Sequence, residues 1–176
     1  AEGGAFIRSE PGLPAPDLQL HFVLGLLDEH ARKLHLGYGY SCHVCVLRPH
    51  SRGEVGLESA DPLVYPRINP NFLSDPRDAE LMVRGVRKML SVLRAPSLAR
   101  YRTSDLYPMK DDSDAEILAH IRARADTIYQ PVGTCKMGQD SMAVVDDRLR
   151  VHGVAGLRVV DASIMPAIVS GNTNAP

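Results

Sequence analysis

Ser74-Asp75-Pro76 opens the stretch of this chain whose local chemistry leaves the least freedom. A capping side chain precedes a proline suited to the first turn of a helix, and Asp78 and Glu80 follow where the positive end of the macrodipole favours acids. Leu81, Met82, Val86, Met89, Leu90 and Leu93 then recur at helical spacing, with Arg84, Arg87, Lys88 and Arg94 on the other side or late in the run, which ends before Pro96. A helix with one apolar stripe has to bury it against something else, so the rest of the chain must supply a partner layer.

A second helix is expected from about Ser113 to Ala125, with Asp112 or Ser113 as cap, Glu116 in its first turn and Ile117, Leu118 and Ile121 as its stripe. Elsewhere the pattern is that of strands and turns. Residues 9–17 carry three prolines and read as an extended connector, after which Leu18-Gln19-Leu20-His21-Phe22-Val23 alternates with the period of a half-buried strand. Tyr40 to Leu47 reads as a second strand, and residues 40–59 together as a hairpin that turns near Gly53. Pro62, Pro66 and Pro70 make Asp61 to Phe72 an extended, loop-like passage. Val144 to Val151 and Leu157 to Val160 are short strand candidates. Fourteen glycines and thirteen prolines in 176 residues fit a loop-rich α/β or α+β domain and are too aperiodic for a fibrous protein.

Charge and composition exclude several function classes. Twenty basic and twenty-one acidic residues are interspersed, for a formal net charge of -1, which argues against nucleic acid or anionic lipid as a partner. Aromatic residues are 5% of the chain and tryptophan is absent, so stacking platforms for single-stranded nucleic acid are poorly supplied. No transmembrane segment is expected, because no run approaches ~18 uninterrupted apolar residues. Three cysteines and no basic-then-apolar leader indicate neither a disulfide framework nor a secretory signal, so a reducing, cytoplasmic location is expected, with peripheral membrane association left open. The start at Ala1-Glu2-Gly3-Gly4 and the stop at Ala175-Pro176 both look cut from a longer chain.

Cys42 and Cys45 form a Cys-x-x-Cys, but on a strand positions three apart face opposite ways, so no metal site is expected; the alternative, a small metal-binding protein, predicts stoichiometric zinc. Gly37-Tyr38-Gly39-Tyr40-Ser41-Cys42 resembles the start of a dinucleotide fingerprint, yet it precedes a strand and offers no helix N-terminus to a pyrophosphate. The histidines at 21, 30, 35, 43, 50, 120 and 152 are scattered, although His21 and His43 lie on expected strands and could meet across a sheet. Met82 and Met89 read as core. In the last third, small and polar residues crowd between apolar runs: Tyr129 to Gly138, Val160 to Pro166 and Ser170 to Pro176. Physically these are tight loops whose amides can donate to an anion or a polarised ligand.

Those loops, with Pro16-Asp17-Leu18-Gln19-Leu20-His21-Phe22, Arg52-Gly53, Ser59-Ala60-Asp61-Pro62 and Asn69 to Asp78 before them, resemble the C-terminal, substrate-side portion of the glucose-methanol-choline (GMC) oxidoreductases over nearly the whole chain. The resemblance implies an α+β fold, a mixed and largely antiparallel sheet with helices packed on one face. It also implies an FAD enzyme that oxidises a small-molecule alcohol, a base taking the hydroxyl proton while hydride passes to flavin. On this reading residues 1–176 are one substrate-binding domain fragment, inactive alone, whose partner is the FAD-binding domain of the same polypeptide, absent from the chain. Without the Gly-x-Gly-x-x-Gly segment the fragment is expected to bind FAD weakly or not at all.

In the family the base is a His in a Tyr-His-Pro-type loop, and a second His or Asn lies in the turn that matches Gly171-Asn172-Thr173-Asn174. Carried across, the catalytic positions are Gln130 and Asn172, and the cofactor-facing ones are Asp161, Ala162, Asn172, Thr173 and Asn174. Gln130 departs from the family pattern, since an amide cannot take a proton near neutral pH. The competing reading is a non-catalytic binding or interaction module derived from the same fold. Asp161 has a structural alternative as well, as the cap of the turn that follows it.

Overall fold

The computed structural model describes residues 2–29, 32, 33 and 35–176; Ala1 and His30, both named above, lie outside the described residues. The chain divides into two compact units, Ala1–Leu47 with Pro76–Asp126 and Arg48–Asp75 with Thr127–Pro176.

The first unit is built on an antiparallel sheet of β1 (Gly3–Ile7), β2 (Leu18–Val23) and β3 (Ser41–Val46), in that order. The alternation read in Leu18–Val23 sorts its side chains: Leu18, Leu20 and Phe22 share a face with Cys42, Val44 and Val46, and Gln19, His21 and Val23 share the other with Ser41, His43 and Cys45. Against the apolar face lies α1 (Pro76–Leu93), the helix its cap and stripe predict. Val83 and Val86 are buried along it, and Gly85 explains how close the layers come: a Cβ there would meet Val44 Cγ2 at 2.9 Å and Leu18 Cδ2 at 3.0 Å. A mid-helix glycine costs about 1 kcal/mol against alanine, and here the close approach to β2 and β3 is what it permits.

A four-residue helix, α2 (Pro96–Ala99), begins where the long helix stops, with Pro96 in its first turn. The expected second amphipathic helix is α3 (Asp114–Arg124), which packs on α1 and buries Ile117 and Ile121. Its cap is Ser113, whose hydroxyl accepts from the Glu116 N–H at 3.2 Å. The fold is therefore α+β, antiparallel throughout its named strands, with helices on the sheet.

The long β2–β3 connection is tied down by one carboxylate. The Asp28 side chain is 7% exposed. It accepts from Tyr107 Oη and from His35 Nε2 at 2.8 Å, with Lys33 Nζ at 3.6 Å and Arg124 Nη1 at 4.0 Å. These donors, Tyr107 first, hold its pKa down at about 2. A carboxyl whose folded value is depressed stabilises above its ordinary value of 3.8 and loses that contribution as pH falls toward 2. Thermal unfolding of the chain should therefore show the melting temperature dropping across that acid window. Asp28→Asn should melt lower than wild type at neutral pH and show a shallower acid drop; identical profiles for the two would remove Asp28 from this role.

The second unit carries a two-stranded sheet, β4 (Glu54–Gly56) against β5 (Arg67–Asn69), with an Arg67–Glu54 ion pair of 2.6 Å across it. This corrects two expectations. Residues 40–59 are not a hairpin: β3 pairs with β2, while β4 pairs with β5. The chain is turned between them at Pro49–Ser51, where Arg52 Nη1 takes the carbonyls of Pro49, His50 and Ser51 at 2.8, 3.2 and 3.0 Å. Inside the passage read as a loop, Pro66 and Pro70 bracket β5 instead of abolishing it, since three residues fit between the missing N–H groups. Gly53 is required because a Cβ would fall 2.2 Å from the Asn69 carbonyl oxygen and 2.5 Å from that of Pro70.

Residues 144–151 and 157–160 form isolated bridges, Val145 with Met137 and Val151, and Arg150 with Arg158, and not strands. The physical reason is Asp146. Its carboxylate accepts from the Arg148 and Arg150 N–H groups, both at 2.9 Å, and from Arg150 Nε at 2.8 Å, folding the would-be strand into a turn around Leu149 at φ 63°. β1 was not foreseen, because Gly3-Gly4 carries no side-chain pattern to read. Among the described residues, no helix is long and apolar enough to cross a membrane.

Candidate active site

The loops of the second unit bring the two expected catalytic segments together. Gln130 Oε1 accepts from the Thr173 backbone N–H at 2.7 Å and from Thr173 Oγ1 at 2.6 Å, closing a gap of 43 residues. Both lone pairs of the amide oxygen are thereby used. Among the described residues Gln130 Nε2 reaches only the Ile128 carbonyl, at 3.5 Å, the outer limit of a hydrogen bond.

Local backbone geometry aims both segments. Tyr129 and Ser170, each adjacent to or just before a paired segment, hold φ at 65°, a left-handed conformation that non-glycine residues adopt at a cost. Thr127 Oγ1 accepts from the Tyr129 N–H at 2.9 Å on one side. On the other, Arg48 Nη1 donates to Ser170 Oγ at 2.9 Å. Arg48 escaped the sequence reading, and a contact spanning 122 positions leaves no local signal by which to find it.

Asp161 and Ala162 open the 3-10 turn Ala162–Ile164. Asp161 Oδ1 caps it by accepting from the Ser163 N–H at 2.8 Å, and the bonds to Ser163 hold the carboxyl below the usual carboxylate range. The turn is stitched to the loop that follows Gln130: Cys135 N–H donates to the Ser163 carbonyl at 3.0 Å and Met137 N–H to that of Ile164 at 2.8 Å. In that loop Lys136 Nζ is neutralised by both oxygens of Asp140, at 2.8 and 2.7 Å. Asn172 and Asn174 are exposed, and Thr173 is half-buried under its bonds to Gln130.

The other candidates resolve separately. His21 and His43 are direct cross-strand partners, with Cys45 Sγ 3.8 Å from His21 Nε2. Burial lowers the pKa of both histidines, and His21 lowers that of His43 further. Cys42 lies on the opposite face of the sheet from Cys45, and burial raises both thiols. All three cysteines are free, and among the described residues no group of three or more His, Cys, Asp or Glu side chains is arranged to hold a metal.

A family model described as GMC oxidoreductase matches residues 49–176, the span that contains Gln130, Asp161, Ala162 and the turn Asn172 to Asn174. The chain belongs to the GMC oxidoreductase family. It is 50% identical over its whole length to "Alcohol dehydrogenase [acceptor]" of Pseudomonas putida, covering 32% of that protein. It is 47% identical over 99% of its length to mitochondrial choline dehydrogenase of Mus musculus, covering 30% of it. Among solved structures, pyridoxine 4-oxidase from Mesorbium loti superposes with a TM-score of 0.85 at 31% identity, over 96% of this chain and 34% of the oxidase. This GMC chain thus spans about a third of the length of the curated relatives it matches.

Proposed function

We propose that this chain is the substrate-side part of an FAD-dependent oxidoreductase that oxidises an alcohol to a carbonyl compound, and that it is inactive without the rest of the flavoprotein. The observation that carries the reading is the Gln130–Thr173 clamp. It joins Gln130, which the family resemblance puts at the position of the base, to the turn that carries Asn172, and this supports the reading within a chain matched along its length to an alcohol dehydrogenase and a choline dehydrogenase.

The donor set fits a flavin. Among the described residues the backbone N–H groups of Ala162 and Asn174 make no hydrogen bond, which leaves two donors that could serve a carbonyl-rich ring edge. Asp161 and Thr173 would contribute by holding these turns, since the Asp161 carboxylate is engaged by Ser163 and both Thr173 donors by Gln130. Bound flavin supplies a hydride acceptor for the carbinol carbon. On this reading the chain's own residues orient the alcohol: the exposed Asn172 would hydrogen-bond the substrate oxygen, and Gln130 would position it without taking its proton. Three free cysteines fit a reducing, cytoplasmic location.

The saturated oxygen of Gln130 also favours a second reading, a binding module that has given up turnover. Anaerobic addition of short-chain alcohols to the complete polypeptide separates the two. The enzyme reading expects bleaching of the oxidised flavin absorbance, and a flavin left oxidised by every alcohol would leave the module. The 176-residue chain alone should purify without stoichiometric flavin; a yellow preparation would show that it holds the cofactor unaided.

A further inference from the structure

The orientation of the Gln130 amide is fixed by a group that has no choice of role. A backbone N–H only donates, so the atom facing Thr173 N at 2.7 Å is the amide oxygen, and Thr173 Oγ1 at 2.6 Å adds a second donor to it. The NH2 group is therefore the part of the side chain left for a ligand, engaged among the described residues only at the 3.5 Å limit through Ile128. Gln130 is half-buried on a segment aimed by the left-handed Tyr129, so the amide is presented by a fixed loop.

We propose that Gln130 makes this a hydrogen-bond-donating site that selects a carbonyl oxygen over a hydroxyl. The inference rests on the substrate-side reading above, and it names the class of ligand the site holds best: a ketone or aldehyde, the oxidised partner of the alcohol. A carbonyl oxygen accepts from the Gln130 NH2 and brings no proton that needs a home. A hydroxyl can accept the same bond, but Gln130 has no lone pair left for its proton, which must find an acceptor elsewhere, so the hydroxyl gains less from this side chain than a carbonyl does. A site of this polarity holds the product of alcohol oxidation, which points to slow product release.

The test uses the complete flavoprotein and the matched pair 2-hexanone and 2-hexanol, with binding read by anaerobic calorimetry. Wild type should bind the ketone at least about fivefold more tightly, the worth of one net hydrogen bond. Gln130→Glu is nearly isosteric: one oxygen can stay on Thr173 while the other replaces the NH2 with an acceptor, so the preference should reverse. Wild type binding the alcohol as tightly as the ketone overturns the proposal whatever the variant does. If Gln130→His accelerates alcohol oxidation while the ketone-to-alcohol ratio ignores Gln130→Glu, the polarity inference fails and the substrate-side reading stands. If neither substitution moves either measurement, Gln130 is remote from the ligand and both fall together.

Discussion

Gln130→His in the complete flavoprotein should raise alcohol oxidation at least about tenfold. An amide cannot accept the hydroxyl proton, and a positioned general base is typically worth ~10²–10⁴ in rate, or roughly 3–5 kcal/mol of barrier. The figure is set at the cautious end for a structural reason. The Thr173 N–H and hydroxyl both donate at this position, and an imidazole nitrogen that receives them leaves the proton on the other nitrogen, the one that would serve as base. The Thr173 hydroxyl can turn to accept, but the backbone N–H cannot, so only part of the full gain is accessible. The signature of the restored base is a rate that rises with pH through the ordinary histidine range near ~6.5, a feature that wild type lacks. Equal rates and equal pH profiles for the two forms would mean that position 130 is not where the proton leaves.

How much of this was legible depends on the range of the interaction concerned. The two long helices were readable because caps, first-turn acids and apolar spacing all act within a few residues, and Pro76–Leu93 and Asp114–Arg124 follow those signals closely. Strand pairing was less readable. The alternation in Leu18–Val23 gave the faces of β2, and it allowed His21 to meet His43, but the partner of β3 turns on where Arg52 folds the chain back, and one guanidinium gathering three successive carbonyls leaves no periodic trace. Asp146 misled in the same way: the apolar spacing around it suits a strand, and a single carboxylate binding two backbone N–H groups decided otherwise.

The site divides along the same line. The loops were visible as glycine-rich and polar, and the family resemblance singled out Gln130 and Asn172 within them. The spatial pairing of Gln130 with Thr173, and the anchoring of Ser170 by Arg48, were not visible, because each is a single long-range bond made by residues with ordinary neighbours. Thr173 shows the difference: from sequence it was one of several turn residues facing a cofactor, and its bonds show that both its donors are spent on Gln130.

Leu18→Ala should destabilise the first unit strongly, by about 2–5 kcal/mol by chemical denaturation. Leu18 is 0% exposed, paired with Ile7 on one side and Val46 on the other, and its side chain fills the space that Gly85 leaves on α1. Truncation loses the transfer energy of the removed carbons and leaves a cavity, because the strand is held by both neighbours and cannot collapse into it. Against a typical total of about 5–15 kcal/mol, that loss is a large fraction. Gly85→Ala alone should also destabilise, by about 1–3 kcal/mol, since its Cβ would meet Val44 and Leu18 at 2.9 and 3.0 Å. Together the two should cost less than their sum, because removing the Leu18 methyl groups clears half of what the new Cβ would strike. A double-mutant cycle is expected to return a coupling of about 0.5–3 kcal/mol in the compensating direction. Strict additivity would show that the helix and β2 do not touch at this point, and with it the reason for a glycine in the middle of α1 would be gone.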